Sequence, residues 1–315
     1  MLISVEQMQP LLRHADRVTR RGCNSGATDR LAQPSNETGR LPVFVDFDNS
    51  VIRRDDVNGN DVASPVDRSP RRAGSSFMKR LLSPDKAVTL RNLDRFVSLL
   101  LSANPRPVVL IVGGGTVGQG MDALYQSPDI QVVAFDIYAS PIVHFVADAH
   151  DIPLLAGTVD GVIVQAVLEH VVEPQQVVAE IWRVLKPDGL VYAETPFLQH
   201  VHEGAYDFSR FTESGHRWLF KRFDVIASGV CGGPGMQLTW SIDYFVRGLF
   251  RSWAAGKIAK LAFFWLRWFD RFIPESFASD AASGFYLLAR RTHDEIAVAE
   301  LVSFYRGAQQ RAQPG

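Results

Sequence analysis

From Pro107 onward the chain alternates short apolar runs with longer amphipathic stretches. The runs at 108–112, 132–135, 161–165 and 190–193 are too short for helices and too continuous for half-exposed strands, so they predict strands buried on both faces. Helix-length segments separate them. At 174–185 a proline in the first turn precedes one apolar face of Val177, Val178, Ile181, Trp182 and Leu185, and Lys186-Pro187-Asp188-Gly189 stops the helix. Upstream, Ser83-Pro84 followed by Leu93, Phe96, Val97 and Leu100 predicts an amphipathic helix of about four turns. This βαβαβ alternation predicts an α/β fold, an open parallel sheet with helices on both faces.

The remaining chain divides by composition. Residues 41–52 hold enough β-branched and aromatic side chains for a strand or two but not for a core, so 1–52 reads as a small N-terminal appendage. Asp, Arg, Ser, Gly and Pro then dominate 53–76, which predicts a flexible linker over 53–82. The main domain is expected over 83–292, with a C-terminal tail or helix over 293–315. Inside it, 244–274 predicts a basic amphipathic helical insertion. Ile258, Leu261, Trp265, Trp268 and Phe272 form its apolar stripe, and Lys257, Lys260, Arg267 and Arg271 an adjacent basic one. Such a helix packs on the domain or a second copy of the chain, or lies in an anionic membrane surface.

Of the 315 residues 46% are hydrophobic, which excludes a mainly disordered chain. Thirty-three basic against 34 acidic residues leave a formal charge of −1, so no nucleic-acid partner is expected. Cys23 and Cys231 alone can build neither a disulfide framework nor a thiolate zinc site, so a reducing compartment and no metal are expected. The first 21 residues mix charges among apolar positions, unlike a signal peptide, and no run reaches the roughly 18 residues of a spanning helix. The expected location is cytoplasmic, peripheral to the inner membrane face at most.

Candidate chemistry begins with VVLIVGGGTVGQG at 108–120. Glycines after a buried strand let a ligand approach the backbone closely, and Asp136 ends the next strand, 21 residues beyond Gly115, where ribose hydroxyls would lie. Because Gly113-x-Gly115-x-x-Gly118 also satisfies the dinucleotide fingerprint, an NAD-dependent oxidoreductase is an alternative. Four ordered segments weigh against it: Asp148-Ala149-His150-Asp151-Ile152-Pro153, Asp160-Gly161-Val162-Ile163-Val164, Val167-Leu168-Glu169-His170-Val171 and Leu185-Lys186-Pro187-Asp188-Gly189. With the glycine loop, they make residues 107–230 resemble the class I S-adenosylmethionine-dependent methyltransferases.

The resemblance implies a Rossmann-like, doubly wound, mostly parallel seven-stranded sheet with helices on both faces and an antiparallel edge hairpin, to which the segments from Phe223 and from Ala282 would belong. It implies S-adenosyl-L-methionine as cofactor. Gly113, Gly114 and Gly115 match the loop under its methionine part, and Asp136 the acid on its ribose. Asp148 and Ala149 match the adenine edge, and Gln165 and Ala166 the methionine end. Family members usually carry an acid at the position of Ile111, which leaves a non-catalytic scaffold of the same fold as a further alternative. Glu169 and His170 read as residues ordering the first turn of a helix.

The acceptor is expected over the segment 195–212, because a loop at a strand's carboxyl end lies over the ligand crevice. His202 is the expected general base, with Asp207 as a second catalytic candidate and His200, Glu203, Tyr206 and Arg210 as substrate-binding groups. The Asp207–Arg210 pair has an alternative reading as a structural ion pair. Histidine followed by Asp-Phe-x-Arg-Phe-Thr is similar to methyltransferases of glycan and cell-envelope assembly. That points to O-methylation of a glycan, lipid-linked or small-molecule acceptor. The Pro-Val-Phe-Val-Asp sequence after Cys23 is similar to zinc-ribbon modules, here without the ligands to hold a metal.

Overall fold

The eight strands are β1 (Val43–Phe44), β2 (Val108–Val112), β3 (Gln131–Asp136), β4 (Phe145–Ala147), β5 (Val159–Gln165), β6 (Leu185–Pro196), β7 (Phe223–Gly232) and β8 (Gly284–Arg291), in a computed structural model that describes residues 2–13, 41–53 and 87–310. They form one sheet in the order β1-β4-β3-β2-β5-β6-β8-β7. Every pair is parallel except those of β8 with β6 and β7. Seven strands make up the expected sheet with its antiparallel edge, and β1 adds an eighth.

Both faces are covered, which is why the strands read as continuous apolar runs. Leu110, Val112, Val133, Phe135, Val162 and Val164 pack with Val177, Ile181 and Val184 of the helix Pro174–Val184. The alternate residues Val109, Ile111, Val132, Ala134 and Ile163 face the other way, against Leu93, Phe96 and Leu100 of the helix Ala87–Ala103. Fully burying each such side chain contributes about 1.5–3 kcal/mol, so period-two alternation fixes the register on both faces at once. The Ser83-Pro84 helix start lies outside the described residues.

The chain runs outward from β2 through β3 to β4, then returns to β5 on the other side of β2. The carboxyl ends of β2 and β5 therefore open a crevice, the ligand position of doubly wound sheets.

Two expectations differ from the structure. The described parts of the N-terminal stretch do not stand apart. Met8 is fully buried, the Ile3 amide donates to the Val132 carbonyl at 3.1 Å, and β1 pairs with Val146 and Ala147 of β4. Only Arg53 of the expected linker is described, and Cys23 lies outside the described residues. The second difference is the insertion, which is not one helix. It comprises α-helices Pro234–Phe250, Trp253–Ala262 and Glu275–Asp280, with a 3-10 segment Phe264–Phe272, all between β7 and β8. Arg251, at φ 49°, ends the first helix in the left-handed region, and Ser252 caps the second by accepting the Ala255 amide. Amphipathic periodicity survives such a break, so the pattern alone does not show it. Among the described residues, no helix is long and apolar enough to cross a membrane.

Candidate active site

A cavity of about 630 Å³ opens at the carboxyl ends of β2 and β5, within the usual range for small-molecule sites. Gly113 lines it at φ +72°, and a Cβ there would lie 2.3 Å from Val167 Cγ2, so the turn requires glycine. Gly114 and Gly115 are buried behind the lining. The Gly114 amide donates to the Phe135 carbonyl and the Gly115 amide to Asp136 Oδ2, both at 2.8 Å. The Ile137 amide donates to Asp136 Oδ1 at 2.7 Å, so two backbone donors fix this carboxylate at the cavity wall.

Asp148, Ala149, Gln165 and Ala166 all line the cavity. Asp148 accepts from Ser50 Oγ at 2.6 Å and from the His150 amide at 3.0 Å. Burial raises the pKa of Asp148, but the bonds from His150 and Ser50 outweigh it and hold the carboxyl below its ordinary value. Ser50 and Val51 bring the N-terminal stretch to the wall, which composition did not foretell. Ala166 sits at φ 54°, a strained position for a non-glycine residue, where β5 meets the cavity.

Ile111 leaves an apolar patch where the resemblance led to the expectation of an acid, but the cavity has another carboxylate. Glu194, near the end of β6, lines it and is 4% exposed. It accepts from Thr89 Oγ1 at 2.6 Å, Tyr192 Oη at 2.5 Å and Gln165 Nε2 at 3.0 Å. Burial, then the charge of Glu194, pushes the Tyr192 phenol far up, so it stays a donor. Sequence reading missed Glu194 because an acid inside a strand carries no motif.

The loop after β6 places its residues unequally. His202 and Glu203 line the cavity. Asp207, with a side chain 1% exposed, does not; it pairs with Arg210 at 2.8 Å and accepts the His202 amide at 2.9 Å. Burial raises the pKa of Asp207, but Arg210 and that amide outweigh it and bring the carboxyl down to about 2. Arg210 also donates to the carbonyls of Gln199 and His200, so the pair pins the loop and lies off the cavity. His200 stacks on Tyr244 with ring centroids 4.3 Å apart, and Tyr206 contributes its carbonyl to His170; neither lines the cavity.

Glu169 and His170 do more than begin a helix. They sit on a 3-10 turn, Leu168–His170, that carries the His170 ring to the cavity. Its Nδ1 donates to the Tyr206 carbonyl at 2.7 Å, and its Nε2 lies 3.2 Å from Nε2 of His202. Glu169 Oε1 stands 3.7 Å and 3.9 Å from these two nitrogens. Burial, together with the neighbouring His202, lowers the pKa of His170. Trp240, from the first insertion helix, completes this end.

Residues 110–193 match the family model described as a methyltransferase domain. The chain carries a class I methyltransferase domain. It is an S-adenosylmethionine-dependent enzyme, and the match covers the glycine loop, β3, β5 and most of β6 in the order the sequence suggested. The dinucleotide fingerprint is thus part of a methyltransferase loop and not of an NAD site. No curated protein matches the chain in sequence. Solved structures similar to it include a SAM-dependent methyltransferase from Archaeoglobus fulgidus, at 12% identity and TM-score 0.43, covering 68% of this chain and 98% of that one. A SAM-dependent methyltransferase from Methanosarcina mazei matches at 14% identity and TM-score 0.36, covering 61% and 95%. The cyclase SpnF matches at 16% identity and TM-score 0.37, covering 64% and 82%. At these values the likenesses bear on no functional point.

The cavity suits the methyltransferase's cofactor. It offers a carboxylate held by backbone amides, a glycine cradle that a Cβ would fill, and the buried carboxylate of Glu194, which accepts from Gln165.

Proposed function

We propose that this methyltransferase transfers a methyl group to a hydroxyl of a lipid-linked or glycan acceptor that enters beside His202. The observation that carries this reading is the pair of imidazoles at the open end of the cavity. S-adenosylmethionine, when bound, supplies an electrophilic methyl on a sulfonium. Asp136 is positioned to accept from the ribose hydroxyls, Asp148 and Ala149 to border the adenine, and Glu194 to attract the amino group in place of an acid at position 111. The histidine pair activates the acceptor's hydroxyl, while Trp240 and Glu203 shape its approach. Asp207 acts through His202 as a positioning residue, held by Arg210.

Two measurements test the assignment. With tritiated S-adenosylmethionine and extracted envelope glycolipids, label is expected in an alkali-stable methyl ether; alkali-labile label would show a carboxyl acceptor instead. In calorimetric titration, Asp136→Ala is expected to weaken S-adenosylhomocysteine binding at least about tenfold, or about 1.4 kcal/mol. Unchanged affinity would remove Asp136 from the site.

The insertion supports a membrane-borne acceptor. Phe245, Phe250, Trp253, Ile258, Trp268 and Phe272 are exposed, each at 57–69%. Between 244 and 274 six basic residues stand against Asp270 alone, in a chain of formal charge −1. Aromatic and aliphatic groups beside basic ones suit an anionic lipid surface, where charge and apolar burial add. The same helix runs from Trp240 at the cavity to Phe250, about 15 Å at 1.5 Å per residue, so a lipid-anchored acceptor could span the two. Phosphatidylcholine vesicles containing phosphatidylglycerol are expected to sediment the protein, salt to weaken this, and Trp268→Ser with Phe272→Ser to abolish it. A stable dimer that ignores vesicles would assign the surface to a second copy instead.

A further inference from the structure

The tautomers of the two facing histidines follow from their partners. The Tyr206 carbonyl can only accept, so Nδ1 of His170 carries the proton. Nδ1 of His202 faces Asp207 Oδ2 and the His200 carbonyl, both at 3.3 Å and both acceptors. Each ring therefore presents an Nε2 lone pair, and the two point at each other across 3.2 Å with a carboxylate oxygen beside them. Two lone pairs and a carboxylate oxygen gathered at one point form a donor set suited to a shared cation.

The spacing fits one. In a tetrahedral zinc site with bonds of about 2.0–2.1 Å, ligand atoms stand about 3.3 Å apart. The nitrogens already have that separation, and the carboxylate oxygen lies a few tenths of an ångström beyond it. Partners of the outer kind are also present: a carbonyl behind one imidazole, and a carboxylate, itself fixed by Arg210, behind the other. Glu169, His170 and His202 are close enough to hold one ion, and both rings line the cavity.

We infer that Glu169, His170 and His202 bind a zinc-type divalent cation at the cavity mouth, with a fourth position open to the acceptor's oxygen. As a binding site this stands alone; as the means of activating the acceptor it rests on the function proposed above. The bound ion draws electron density from the acceptor hydroxyl, its O–H bond breaks, and the proton passes to the carboxylate of Glu203.

Metal-stripped protein titrated with Zn²⁺ is expected to take up one ion per chain, and Co²⁺ to give the visible bands of a tetrahedral nitrogen–oxygen site. His170→Ala and Glu169→Gln are each expected to weaken uptake at least about 100-fold, in line with the loss of one of three ligands. Circular dichroism and S-adenosylhomocysteine titration of the same samples show that the variants stay folded. Absence of stoichiometric uptake by the wild type, or equal uptake by the variants, would overturn the site. Cofactor binding by a wild type that takes up no Zn²⁺ sinks the cation site alone, whereas Zn²⁺ uptake without cofactor binding sustains it and counts against the proposed function.

Discussion

His202→Ala is expected to lower turnover about 100-fold or more while leaving S-adenosylhomocysteine affinity nearly unchanged, because activation of the acceptor typically carries that much rate. His202 sits on the loop after β6 with its side chain 27% exposed, so truncation removes a reactive nitrogen without opening the core. The walls proposed for the cofactor come from other elements: the glycine loop, the ends of β3 and β5, and Glu194. A kcat loss with intact cofactor affinity therefore marks a group that meets the acceptor. If affinity fell together with turnover, the loop would be shaping the cofactor pocket, and His202 would be structural.

The second large effect is on stability against acid. His216, on the helix Glu213–Leu219, is 2% exposed and packs edge-on against Phe220 at 5.2 Å, and its Nε2 has no hydrogen-bond partner among the described residues. Burial lowers its pKa from 6.5 to about 3. Between those values the unfolded chain binds a proton that the folded one refuses. Stability is thus whole above pH 6.5 and falls on acidification by about 1.4 kcal/mol per pH unit until about pH 3. His144, buried and also lowered mainly by burial, acts in the same sense, and Asp207 adds to the loss below its ordinary carboxylate range. Urea unfolding at stepped pH checks this. His216→Phe is expected to flatten the slope between pH 6 and 4, and an unaltered slope would show that His216 does not govern it.

Much of the central sheet was legible because buried parallel strands leave an unbroken apolar signature. The run at 108–112 is β2 residue for residue, and the helix forecast at 174–185 spans Pro174–Val184. What escaped notice was non-local. β4 is three residues long, and the strand expected within 41–52 gave no sign that it would pair with β4. The carboxylate of Glu194 at the cavity wall is held by Thr89, 105 positions away. His170 and His202, 32 positions apart, meet because the ends of neighbouring strands bring their loops together. Local periodicity encodes neither encounter, and the left-handed residue that breaks the insertion leaves the hydrophobic pattern untouched.

The placement of β1 has a practical consequence for any shortened version of this chain. A protein beginning at Ala87 would retain the whole matched region, 110–193, and look complete by homology. It would nevertheless lack Ser50 and Val51 at the cavity wall, leaving one oxygen of Asp148 without its hydroxyl donor. It would also strip the outer edge of β4, turning a covered strand into an open template for pairing with other chains. Weak cofactor retention and a tendency to self-associate in such a fragment would then report on the cut and not on the enzyme.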